Sequence, residues 1–159
     1  MDVIIRKATL DDLSTIQELN LMLFKKEYEK YDKTLDLNWT EGKEGTGYFK
    51  KRITDENSCA LVAIVDGEIV GYRVGAISKP ESYRILSSYA EAENMFVLSE
   101  FRNKGIGTKL FNEFVKWCKE KGVKRVKLVV SSENKKALGF DRKLGFQDHS
   151  ITLEKEIED

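Results

Sequence analysis

The chain has 159 residues, 27 basic against 27 acidic side chains and a 41% hydrophobic composition. A formal net charge of zero argues against a nonspecific nucleic-acid binder, and no run approaches the roughly 18 apolar residues that span a bilayer. A chain of this length can bury a core without disulfide or metal staples. With one proline and no repeat or low-complexity stretch, residues 1–159 read as a single domain. The segment MDVIIRK lacks a basic stretch followed by a long apolar one, so a cytoplasmic location is the expectation. Cys59 and Cys118 each lie in an apolar run and read as buried free thiols.

In chain order, Val3 to Lys7 reads as a short strand. Thr9 offers a helix cap with Asp11 and Asp12 at the positive end, and Leu13, Ile16, Leu19, Leu23 and Phe24 recur at helical spacing, predicting a helix to about Glu29. Lys33 to Gly47, with glycines at 42, 45 and 47, reads as a mobile lid, and Tyr48, Phe49 and Ile53 suggest a second short helix. Cys59–Val65 and Glu68–Ile77 are β-rich runs joined by Asp66-Gly67, a hairpin signal. Ser88 to Leu98 reads as a strand whose alternation breaks at Glu93 and Asn94, which predicts a bulge.

Ile106, Leu110, Phe111, Phe114, Val115 and Cys118 mark one face of a helix ending at Gly122. Arg125–Val130 then reads as a strand, Asn134–Lys143 as a helix stopped by Gly145, and Phe146–Ile157 as containing a last strand with Ile151 and Leu153 on one face. The order β α α β β β α β α β gives an α/β (α+β) fold class.

Between the third strand of that run and the long helix lies RNKGIG, Arg102 to Gly107. First-turn amides of a helix have no internal partners and sit at the positive end of its dipole, so a helix start is an anion site. Gly105 and Gly107 let that backbone approach a bulky diphosphate, and Arg102 and Lys104 add charge. The alternative is a plain strand-to-helix turn. The P-loop pattern is absent, and the dinucleotide fingerprint needs a glycine where Leu110 stands.

With its flanks, VLSEFRNKGIGTKLF from Val97 to Phe111 resembles the acetyl-coenzyme A loop of the GNAT acetyltransferase superfamily, whose pattern is Gln/Arg-x-x-Gly-x-Gly/Ala. Asn134, Ala137, Phe140 and Gly145-Phe146 are similar to that family's second signature. The resemblance covers about 150 residues. It implies a mixed, mostly antiparallel sheet flanked by helices and splayed between its fourth and fifth strands, with the pantetheine arm pairing with Met95, Phe96, Val97 and Leu98. It places the diphosphate on the backbone of Arg102, Asn103, Lys104, Gly105, Ile106, Gly107 and Thr108, and Asn134 near the pantetheine or thioester. The implied cosubstrate is acetyl-CoA, with no metal, and the implied reaction is direct attack by a primary amine of a small molecule or peptide in a ternary complex. Homodimers occur in the family, and no residue here decides that point.

An alkylamine of pKa about 10.4 is almost wholly protonated at neutral pH, so a base or water-relayed base is useful. Glu93 is similar in placement to the base carboxylate of several family members, polyamine acetyltransferases included, with Glu91 as a weaker candidate. Many members place a tyrosine after the second signature's aromatic to protonate the departing sulfur, and here that position is Asp141. Read as exposed and ionised, Asp141 leaves three options: Tyr83 or Tyr89 reaches the sulfur, the thiolate leaves unaided, or transfer is lost. The last option makes the chain an acyl-CoA sensor or interaction domain, and a nucleotide-phosphate module is a third reading. His149, the one histidine, reads as surface, with no second His or paired Cys to build a metal site. Trp39, Tyr48 and Phe49 read as core or as the wall of an acceptor pocket. Glu27, Glu29, Asp32 and Asp36 alternate with lysines 25, 26, 30 and 33 and read as a solvated face.

Overall fold

In the computed structural model, which describes residues 1–86 and 88–159, the elements are β1 (Val3–Lys7), α1 (Leu13–Lys30), α2 (Lys43–Thr54), β2 (Ser58–Val65), β3 (Glu68–Ser78), β4 (Tyr89–Val97), α3 (Ile106–Glu120), β5 (Val126–Lys127) and α4 (Lys135–Lys143). The strands form one sheet in the order β1-β2-β3-β4-β5. All neighbours are antiparallel except β4 and β5, which are parallel.

Successive side chains of a strand face opposite sides, and the sheet is covered on both. Leu61, Ala63, Ala90, Ala92 and Val97 pack against Ile106, Leu110, Phe114, Trp117 and Cys118 of α3. On the other face, Val62, Tyr72, Val74 and Phe96 pack against Ile16 and Leu19 of α1 and Phe49 of α2. Burial on both faces is why β2 reads as a continuous apolar run instead of an alternating one. Cys59 and Cys118 are buried free thiols as expected, and Phe49 is core.

The hairpin forms at Asp66 (φ 50°) and Gly67 (φ 80°), both left-handed as a two-residue type I′ turn requires. The bulge also forms. Val74 pairs with Asn94 and Gly75 with Ala92, leaving Glu93 as the extra residue. Opposite it, Gly75 has no room for a side chain: a Cβ there would lie 2.4 Å from the Glu91 carbonyl oxygen and 2.5 Å from the Phe114 ring.

Three expectations are corrected. The strand expected over Arg125–Val130 shrinks to Val126–Lys127. The last strand expected in Phe146–Ile157 does not form, and Ile151, Leu153 and Ile157 are 85%, 89% and 92% exposed. The two are linked, because a two-residue β5 offers a following strand almost no ladder to join. The third concerns Lys33–Gly47, which is docked instead of lid-like. Its Thr40 is buried and donates to Asn20 Oδ1 at 2.7 Å. Gln17 Nε2 donates to Thr40 O and Thr46 Oγ1, and Gly45 packs so closely under Trp39 that a Cβ would lie 2.1 Å from its carbonyl oxygen.

No helix among the described residues is long and apolar enough to cross a membrane. Gly75→Ala is expected to destabilise the fold by about 1–3 kcal/mol through overpacking against Phe114 and the bulge. Urea unfolding checks this, and an unchanged midpoint would contradict the close approach.

Candidate active site

Beyond the Ala90↔Val126 and Glu91↔Lys127 pairs, β4 has no strand partner on its β5 side among the described residues. The ladder stops at the bulge. From Glu93 to Val97 that edge has no strand partner, although Val97 O is engaged by Arg102 Nε, and an extended ligand can bond to its remaining groups as an added strand would. Met95, Phe96 and Val97 lie on this stretch, and Leu98 follows it.

The open edge leads into the glycine loop. Gly105 is left-handed (φ 81°) and is the residue immediately before α3; Asn103 is left-handed too (φ 60°). The first backbone bond after the turn runs from Lys109 N to Gly105 O at 3.0 Å, so the amides of Ile106, Gly107 and Thr108 open the helix without intrahelical acceptors. Gly107 serves packing as well: a Cβ would lie 3.1 Å from Phe140 of α4 and 3.4 Å from Met95 Cε. Arg102 donates from Nε to Val97 O at 2.7 Å and lies 4.9 Å over the Phe96 ring, locking the end of β4 to the loop. Asn134 caps α4, its Oδ1 accepting from Ala137 N at 3.1 Å.

Cations gather at this end. Burial, and then the charges of Arg102, Lys30 and Lys136, push the Lys26 ammonium below its ordinary pKa. α1, the loop and α4 thus bring four like charges together, an arrangement suited to a polyanion. Lys26 reads from the sequence as part of a solvated, self-cancelling face; only the fold brings it to Lys136. Glu27 is also not simply solvated, since burial and then Asp32 raise its carboxyl pKa.

The other face of β4 carries the carboxylate. Because the bulge breaks alternation, Glu93 and Asn94 both turn toward α1 and α2. Arg52 binds Glu93 through two bonds, Nε to Oε1 and Nη2 to Oε2 (3.0 Å), and the Tyr48 hydroxyl donates to Oε1 at 3.0 Å. Burial and then the neighbouring Glu93 charge raise the Tyr48 pKa, so the phenol keeps its proton. Burial opposes the Arg52 charge, but its bonds to Glu93 outweigh that and raise its pKa. Asn94 continues the network inward: Oδ1 accepts from the Tyr72 hydroxyl at 2.6 Å, and Nδ2 donates to the Tyr48 hydroxyl at 3.1 Å. Asn20 donates to Tyr72 and accepts from Thr40.

Tyr48 and Arg52, one helical turn apart on α2, are functional candidates that sequence reasoning missed in this role. Their i,i+4 spacing is visible, but the partner across the fold is not. Asp141 corrects another expectation: it is half-buried instead of exposed, and burial raises its carboxyl pKa against the charge of Arg73. Tyr83 is 77% exposed. Tyr89 stacks under the Lys127 ammonium (4.5 Å), and Glu91 pairs with Ala76 and Lys127. His149 is exposed outside any element, and Trp39 stacks on Phe24 at 5.8 Å. A cavity of about 520 Å³ lies beside the C-terminal end of α3, lined by Cys59, Trp117 and Lys121, a helix length from the glycine loop.

Acetyltransferase (GNAT) family members share a sequence profile that matches residues 14–146. The chain belongs to this family. It is 33% identical over 150 residues to an uncharacterised N-acetyltransferase of Methanocaldococcus jannaschii, covering 92% of this chain and 62% of that protein's length. An N-alpha-acetyltransferase of Sulfurisphaera tokodaii is 28% identical over 152 residues, covering 92% of this chain and 81% of that one. The fold is shared with an aminoglycoside N-acetyltransferase, AAC(6')-Iy, solved in complex with CoA (TM-score 0.75, 18% identity, 98% of this chain and 100% of that one covered).

Breaking the Arg52–Glu93 pair from one side strands a charge that is less than a third exposed. Arg52→Leu is expected to destabilise by about 1–3 kcal/mol. In a double-mutant cycle with Glu93→Gln, the two losses are expected to be non-additive; additive losses would contradict the pair.

Proposed function

We propose that this GNAT-family chain transfers an acetyl group from acetyl-CoA to a primary amine of a small molecule or peptide. The observation that carries the reading is the open edge of β4, which runs from the bulged Glu93 directly into the cation-ringed start of α3. In this reading the pantetheine arm bonds along Met95 to Leu98. The diphosphate rests on the amides from Arg102 to Thr108, with Arg102 and Lys104 from the loop and Lys26 and Lys136 from the flanking helices supplying positive charge. Arg102 has a second duty there, since its Nε already holds Val97 O. Asn134 shapes the far wall by capping α4.

The acceptor approaches from the α1–α2 side of β4. The neutral amine attacks the thioester carbonyl, the C–N bond forms, and the C–S bond breaks. Glu93 takes the amine proton directly or through a water: three donor atoms occupy part of its acceptor capacity, and a carboxylate offers about four lone-pair sites. Arg52 and Tyr48 orient that carboxylate. The relatives' names, which include an N-alpha-acetyltransferase and an aminoglycoside N-acetyltransferase, support an amine acceptor and leave its class between peptide and small molecule.

A second reading, an acyl-CoA-binding sensor with little transfer, is favoured by two features. Glu93 is tightly engaged by Arg52 and Tyr48, and Asp141 stands where many family members carry the acid tyrosine. Thiol release from acetyl-CoA over a panel of polyamines, aminoglycosides and peptides separates the two. Amine-dependent release that falls at least tenfold in Glu93→Gln, most steeply at low pH where free amine is scarce, is the expected result. Binding without release from any amine supports the sensor, and an unchanged pH–rate profile in the variant removes Glu93 from the mechanism.

A further inference from the structure

Arg73 is a buried ion that the mechanism leaves unused. It lies on β3 paired with Met95 of β4, on the sheet face that carries α3, and is only 3% exposed. Its Nη2 lies 3.4 Å from Met95 Sδ and its guanidinium carbon 5.6 Å from the Phe111 ring. Its Nε has no hydrogen-bond partner, and no carboxylate among the described residues lies within ion-pair distance of it.

Three titratable groups act on it. Asp141 of α4 is the charged one, the Cys59 thiol on β2 is pushed up to about 12 by burial, and burial raises the neighbouring Tyr72 hydroxyl. The latter two are neutral at pH 7, and the Arg73 pKa itself is drawn down to about 10 by burial. A buried, unpaired guanidinium is costly unless something compensates it, and Asp141 does so only at a distance.

The position suggests the missing partner. Met95, against which Arg73 packs, lies two residues beyond the bulged Glu93 on the open β4 edge, at the Glu93 end of the stretch Met95 to Leu98, while its side chain reaches Gly107 at the start of α3. If the pantetheine arm follows that edge, the phosphates are at the lysine end and the sulfur is beside Met95. We propose that Arg73, balanced by Asp141 on the facing helix, forms a site that holds the sulfur of coenzyme A as the thiolate. The proposal rests on the acetyl-CoA reading above. As the amine nitrogen bonds to the carbonyl carbon, the C–S electron pair leaves on sulfur, and the amine proton goes to Glu93 or solvent. No proton is delivered to sulfur, so the step needs no acid at position 141.

The test compares CoA with desulfo-CoA, which lacks the sulfur, by calorimetry between about pH 7 and 10, because a simple alkyl thiol lacks the flanking peptide groups that hold a cysteine at about 8.5 and titrates above it. An opposite charge nearby lowers the bound thiol's pKa by about one unit or more. A group whose pKa is lowered on binding favours binding above that lowered pKa, so the affinity ratio of CoA to desulfo-CoA is expected to rise several-fold with pH in the native protein. Arg73→Met is expected to flatten the ratio while keeping desulfo-CoA affinity, and Asp141→Asn to keep or enlarge the rise. A ratio independent of pH in the native protein, or an undiminished rise in Arg73→Met, overturns the proposal. Failure of both ligands to bind would instead overturn the cofactor reading beneath it.

Discussion

The interruption of β4 at Glu93 governs the rest of the site. One extra residue against Gly75 ends regular alternation, so Glu93 and Asn94 face the same side while Met95 and Val97 return to the α3 face. Just before that point the parallel pairing with β5 stops. A strand that carries a carboxylate on one face therefore also leaves its β5-side backbone edge without a strand partner, and in the proposed reaction the two meet at one centre.

Holding a bulge open requires support, and the surrounding residues supply it from several elements. Gly75 lets Phe114 of α3 press against the ladder opposite the bulge. Asn94 is fixed by Tyr72 and bonded to Tyr48, and Tyr48 and Arg52 secure Glu93 to α2. At the other end Arg102 ties Val97 to the glycine loop, and Gly107 lets α3, α4 and Met95 converge. Rigid elements thus hold both ends of the open β4 edge, which suits the alignment of two substrates in the proposed reaction.

Features set by local chemistry were legible in the sequence. Asp66-Gly67 announces its turn, the broken alternation at Glu93 and Asn94 announces the bulge, and the RNKGIG segment shows a glycine-led helix start. Features set by distant contacts were not. Nothing near Arg52 signals Glu93, nothing near Lys26 signals Lys136, and Arg73 sits inside a run that otherwise reads as ordinary hairpin strand. The strand anticipated after Phe146 shows the converse failure: Ile151 and Leu153 have the right alternation, but β5 is too short to pair with them. Asp141 was readable as a departure from the family's tyrosine, yet its burial against Arg73 depends on how α4 docks.

The open β4 edge and the start of α3 are proposed to bind an acyl-coenzyme A together. Calorimetric titration with acetyl-CoA, repeated in the presence of ATP, decides between this and a plain phosphate site. Binding that ATP displaces only weakly is the predicted result, because ATP has phosphates for the α3 amides and lysines but no pantetheine for the β4 edge. No binding of acetyl-CoA, or displacement by ATP at comparable concentration, would contradict it.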